Sequence, residues 1–108
     1  MAYRFLAPAL LALSADSFAA EQMKICATPA NGRTYTVDAT VLTGMELNQK
    51  TGSFKYTSYA KYAAIFWKDH EATLIELELP GIINVYDVHG IDQEGRAWTV
   101  TMNTGVCY

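Results

Sequence analysis

Two histidines, two cysteines and seven tyrosines are the residues of this 108-residue chain whose types and spacing could do chemistry. His70 stands in KDHEA between Asp69 and Glu71, the mix of imidazole and carboxylate that metal ligation or acid–base work would use. Three consecutive side chains on a turn point in different directions, so the group reads as a solvated turn. His89, in DVHGID, shares a strand face with Asp87, an arrangement that can orient an imidazole for proton transfer. No nucleophile motif such as GxSxG accompanies it, and neither a phosphate loop nor a dinucleotide fingerprint occurs. Glu76 and Glu78 alternate on one strand face and read as outward, solvated carboxylates. The expectation is a non-enzyme with no catalytic residue, no metal site and no cofactor.

Recognition chemistry is better represented. Tyrosine and tryptophan pair a flat apolar body with a polar handle and few rotors, and their rings stack on sugars. Trp67, Trp98, Tyr56 and Tyr59 are expected to pack the core. The loops TPANGRTY and DQEGRAW place Asn31, Arg33, Tyr35, Gln93 and Arg96 at exposed tips, where binding usually resides on a rigid scaffold. These five are the candidate binding residues.

The elements that must position them begin after residue 20. MAYRFLAPALLALSADSFAA carries a cation near its start, an apolar run from Phe5 to Leu13 and a small-residue end, the order of a secretory signal peptide cleaved after Ala19 or Ala20. The apolar run is too short to span a bilayer, so no membrane span is expected. Residues 21–108 then form a single domain, secreted or periplasmic. In an oxidising compartment Cys26 and Cys107 form one disulfide, preferred over two free thiols or metal ligands because no CxxC spacing occurs. Closing so long a loop contributes about 4–5 kcal/mol in the chain-entropy model and requires the first and last strands to lie side by side.

Composition sets further bounds. With 51% hydrophobic and 18% charged residues and a net charge of −3, the chain suits one small globular domain. Few lysines and arginines leave no footprint for nucleic acid or for an anionic membrane surface.

RTYTVDATVL alternates cleanly, with Tyr35, Val37, Ala39 and Val41 on one face. ATLIELEL alternates too, with Thr73, Ile75, Leu77 and Leu79 inward, and Pro80-Gly81 stops it. INVYDVHGI and RAWTVTMN flank DQEG, a hairpin turn ending on Gly95. SFKYTSYAKYAAIFWKD is ambiguous between strand and helix. Its helical reading over 53–68 gathers Tyr56, Tyr59, Ala60, Ala63, Phe66 and Trp67 on one broad face, with Ser53 as N-cap. The helical reading is the expectation. It gives a mostly β protein with one helix, a small OB-like antiparallel β-barrel closed by one disulfide. Read as a strand, the same stretch turns the chain into a meander, a small barrel or a sandwich.

SFKYTSYAKYAAIFW running into ATLIELEL, and the ending WTVTMNTGVCY, resemble the binding (B) subunits of bacterial AB5 toxins of the pertussis, subtilase and Shiga types. The resemblance covers about half of the mature chain. It implies a homo-oligomer, a ring-shaped pentamer that binds cell-surface glycans and carries a separate catalytic chain; no sugar-contacting residue carries over. In such a ring the solvent-facing Thr99 and Thr101 would pair a strand edge with the neighbouring copy. The alternative expectation is a periplasmic inhibitor or immunity protein, which blocks a hydrolase such as lysozyme, or a secreted effector, with an acidic or aromatic loop. A third is a stand-alone structural accessory of the envelope.

Overall fold

The structure, a computed structural model, describes residues 20–68 and 71–107. Six strands run β1 (Glu21–Pro29), β2 (Tyr35–Thr43), β3 (Lys61–Phe66), β4 (Ala72–Leu77), β5 (Val88–Asp92) and β6 (Ala97–Met102), with one helix, α1 (Gly44–Thr51), between β2 and β3. Each strand pairs antiparallel with its sequence neighbours, and β6 returns to β1, so the sheet is a closed barrel. The mostly β architecture with one helix and an end-to-end disulfide is therefore present, with the helix after the second of six strands. The expected signal peptide lies outside the described residues except for Ala20, as do Asp69 and His70.

Alternation explains the interior. Ile25 and Ala27, Ala39 and Val41, Ala63 and Ile65, Ile75 and Leu77, and Trp98 and Val100 point inward from five strands, and Ile83 reaches in from the β4–β5 connection. Six strands enclose little space, so small alanines face large isoleucines and the single indole. Leu79, expected inward, lies beyond the end of β4 and is exposed; the expected strand over 83–91 is paired only from Val88.

The expected helix over 53–68 is not formed. Its second half is β3, and all of Tyr62 to Ile65 is buried. Ala63 and Ile65 face the barrel interior, while Tyr62 and Ala64 join Leu42, Leu47 and Ala60 in a second apolar layer under α1. A strand covered on both faces loses its alternation, and a continuous apolar run with alanines looks helical. Tyr59, expected in the core, is 76% exposed.

The actual helix begins on a capping box. Thr43 Oγ1 accepts from the Glu46 amide at 3.1 Å, and Glu46 Oε1 accepts from the Thr43 amide at 2.8 Å. It ends on Gly52, whose φ of 65° is the left-handed conformation that glycine adopts without strain. Asn48 then brackets Tyr56, donating to its carbonyl at 2.9 Å and accepting from its amide at 3.0 Å. Tyr62 finishes the attachment: its hydroxyl accepts from the Thr57 amide at 2.9 Å and donates to Glu76 at 3.1 Å. Burial foremost, with the Glu76 carboxylate, pushes its phenol above the ordinary value despite the Thr57 amide.

Cys26 and Cys107 are bridged, with Cα atoms 5.6 Å apart. The β1–β6 ladder already holds the first and last strands together, from Ile25↔Met102 to Pro29↔Trp98. The bridge instead tacks the tail after β6 onto the outer wall, where Thr36 Oγ1 lies 3.1 Å from Cys107 Sγ.

Candidate binding site at one end of the barrel

Antiparallel neighbours place the three short connections, 30–34, 67–71 and 93–96, at one end of the barrel. The β1–β2 turn is held by Ala30 N donating to the Ala97 carbonyl at 2.9 Å, and Gly32 N to the Pro29 carbonyl at 3.0 Å. Asn31 takes a φ of 63°, a conformation that asparagine tolerates better than most residues.

The β5–β6 hairpin is organised by one buried carboxylate. Asp92 Oδ1 accepts from the amides of Glu94 and Arg96, both at 2.9 Å, and Oδ2 accepts from Trp98 Nε1 at 2.9 Å. The Arg96 guanidinium adds an ion pair at 3.5 Å. Burial works against the charged form, but the Trp98, Arg96 and Glu94 hydrogen bonds and the Arg96 charge outweigh it, so Asp92 titrates below its ordinary value.

Aromatic rings form the opposite rim. Tyr35 and Trp67 meet edge to face with centroids 5.3 Å apart, and Trp67 Nε1 donates to Thr73 Oγ1 at 2.8 Å. The Arg33 guanidinium lies 5.4 Å from the centre of the Tyr35 ring, and that of Arg96 lies 5.7 Å from the Trp98 ring. Gln93 clamps the hairpin to β4, donating to the Ala72 carbonyl at 2.8 Å and accepting from the Leu74 amide at 2.9 Å. Between these rims opens a hollow of about 520 Å³, bordered by Tyr35, Trp67, Glu71, Glu94, Arg96 and Trp98. A neighbouring groove of about 870 Å³ runs down the outer wall past Asn31, Glu76, Glu78, His89 and Thr99.

All five sequence candidates therefore gather at this end. Tyr35, Gln93 and Arg96 border the hollow, Asn31 borders the adjoining groove, and Arg33 stacks on Tyr35. Gln93 has a different part from the one its exposed position suggests, because both ends of its amide are engaged with β4. Trp67, expected to pack the core, does pack against it while also bordering the hollow, whereas Asp92 and Glu94 were passed over. The DQEG turn was legible, since aspartate commonly opens such turns, but its reach to the Trp98 indole depends on the β6 register.

His89 Nδ1 lies 3.3 Å from Thr99 Oγ1 on the outer wall. Thr99 and Thr101 do face outward, but β6 is paired with β1 on one side and β5 on the other, so they offer no strand edge to a second copy. Among the described residues, no three His, Cys, Asp or Glu side chains come together in a way that could hold a metal ion, and no helix is long and apolar enough to cross a membrane. Compared with known proteins, the chain matches no family model, no curated protein and no solved structure. The toxin-subunit resemblance accordingly rests on the quoted segments alone.

Proposed function

We propose that the chain is a secreted, non-catalytic recognition domain that binds glycans at the end carrying its three short turns. The observation that carries this reading is the Tyr35–Trp67 pair, held edge to face at 5.3 Å on the rim of a hollow whose other borders are Glu71, Glu94 and Arg96. A pyranose presents a C–H face that packs on an aromatic ring. Its hydroxyls donate to carboxylates and accept from a guanidinium. Asp92, Gln93 and Thr73 fix the rims before any ligand arrives, which lowers the ordering cost of binding. A hollow of about 520 Å³ falls within the usual size range of small-ligand sites. Several copies would add avidity, but assembly needs a surface other than the edge of β6.

A glycan array followed by titration tests the proposal. Both tryptophans border the hollow, so intrinsic fluorescence should report binding, and Trp67→Ala should abolish it while the barrel stays folded. An array without hits from the folded protein would sink this reading. A second reading, an inhibitor of a hydrolase such as lysozyme, is favoured by one feature: Glu94 projects with a side chain 76% exposed from a hairpin that Asp92 holds rigid. Stoichiometric inhibition that Glu94→Gln removes would establish that alternative.

A further inference from the structure

The hollow and the groove of about 870 Å³ share Pro29 and Trp98 as borders, so they join into one trough that leads from the Tyr35–Trp67 rim across the outer wall. The strand register lays the groove out in two rows. Glu76, Ile91 and Ala97 stand side by side on β4, β5 and β6, and the next row holds Glu78, His89, Thr99 and Thr28. Ile91, 55% exposed, makes an apolar floor with Ala97, and the two glutamates close the β4 side. Crossing four strands spans three spacings of about 4.8 Å, or roughly 14 Å, which is longer than one pyranose ring.

Topology and charge together decide what the trough can hold. An extended polypeptide is commonly held by adding a strand to a sheet edge, but each strand here is paired on both sides, so only side chains can hold an occupant. An apolar floor between polar rims suits a chain of sugar rings, which carries C–H groups on its faces and polar groups along its edges. Among the described residues, the trough is bordered by the carboxylates of Glu71, Glu76, Glu78, Asp92 and Glu94 and by one guanidinium, that of Arg96. Arg96 is engaged with Asp92 at 3.5 Å and reaches Glu94 only at 4.0 Å. Glu76 accepts from the Tyr62 hydroxyl at 3.1 Å, a neutral donor. Arg33, Lys61 and Lys68 are carried by neighbouring segments, yet none of them borders the trough or forms an ion pair with Glu71, Glu76 or Glu78. An anionic sugar would meet uncompensated carboxylates along this path, whereas an ammonium group would be matched by them.

We propose that the trough takes a linear oligosaccharide bearing free amino groups, with one ring against Tyr35 and Trp67 and a later ammonium group against Glu78. The inference rests on the glycan reading and adds a chain length and a charge to it.

Titration with three probes, read by tryptophan fluorescence, tests it: glucosamine, its linear β-linked tetramer, and the N-acetylated form of that tetramer. The amino tetramer should bind at least about tenfold more tightly than either of the other two, and high salt should remove its advantage over the N-acetylated tetramer. Glu78→Gln should weaken the amino tetramer about fivefold and leave glucosamine unchanged. Ala97→Phe, at an exposed position of β6, should fill the floor and bring the tetramer down to the affinity of the single sugar. If array glycans bind but the amino tetramer does not exceed the other two probes, the inference falls and the glycan reading stands. If the folded protein binds no glycan at all, both fall. Tetramer binding that neither variant weakens overturns the inference as well. Tighter binding of tetralysine than of the amino tetramer would assign the trough to a basic polypeptide and overturn it too.

Discussion

The two ends of the barrel are built from the same six strands and differ in almost everything else. At one end the connections span residues 30–34, 67–71 and 93–96; at the other they span 44–60 and 78–87. The short connections are stapled by side chains to backbone, with Asp92 and Gln93 making five hydrogen bonds between them. The long ones are anchored at a few points, chiefly Ile83, Tyr62 and Asn48, and leave Phe54, Tyr59, Leu79 and Tyr86 outside. A short turn has too few residues to shield its own polar backbone, so side chains must satisfy it and become fixed in doing so. A long connection satisfies its backbone internally, through α1 for example, and can turn apolar side chains outward. One end is therefore a polar mouth with fixed rims and the other a surface of exposed apolar side chains.

The largest effect should come from the element that joins neither end. Replacing Cys26 and Cys107 by serine should lower stability by about 4 kcal/mol, measured by urea unfolding. Because the β1–β6 ladder remains, the folded double variant should keep native tryptophan emission; red-shifted emission in the folded state would show that the bridge also supports the polar mouth.

Gly44→Ala should destabilise the apolar end by about 3 kcal/mol, since a Cβ there would run into the Thr57 backbone carbonyl. Amide exchange should rise first in α1 and residues 53–60. Uniform exchange across the barrel would erase the independence of the two ends.

Asp92→Asn should cost about 2 kcal/mol at neutral pH and act on the polar end, because the charged acceptor of Trp98, Arg96 and Glu94 is lost. The pH sign follows from the lowered pKa. The wild-type contribution is complete above the ordinary 3.8 and disappears as pH falls through the folded value. The urea midpoint of the wild type should therefore fall in that window more steeply than that of Asp92→Asn. Parallel pH profiles would remove Asp92 from its assigned part.

Gln93→Ala should lower stability by about 1 kcal/mol by freeing the Leu74 amide and the Ala72 carbonyl at an exposed site. It should also weaken glycan binding through a looser rim; unchanged affinity would show that the clamp is purely structural. Phe54→Ser closes the series, with a stability change within about 0.5 kcal/mol, because a side chain 98% exposed loses no burial. A larger loss in urea would mean that Phe54 packs against the fold in solution.

Several local features were legible from the chain. Alternation in 35–41 and 72–77, the DQEG turn and the Trp98/Val100 face of the last strand all depend on period-two patterning and turn chemistry, which act over a few residues. The position of the helix was not read. Thr43-Gly44-Met45-Glu46 is a capping-box signature, and Thr51-Gly52 is the end of that helix rather than the start of another. The tyrosines and alanines of 53–66 outweighed it, because the burial of Tyr62 and Ala64 depends on α1 covering the outer face of β3, which no local window contains.

What the sequence determined by itself is what neighbouring residues can decide: a β-rich chain, its turns, and a bridge between its only two cysteines. It also placed Asn31, Arg33, Gln93 and Arg96 in turns and Tyr35 at the edge of one, because glycine, asparagine and aspartate define turns locally. Tertiary structure alone decided that these turns share one end, since that follows from closing six strands with β6 on β1. It likewise decided that the Asp92 carboxylate is buried while that of Glu94, two residues along the same turn, is exposed. Composition averages charge over the whole chain, whereas a folded surface presents it at particular places.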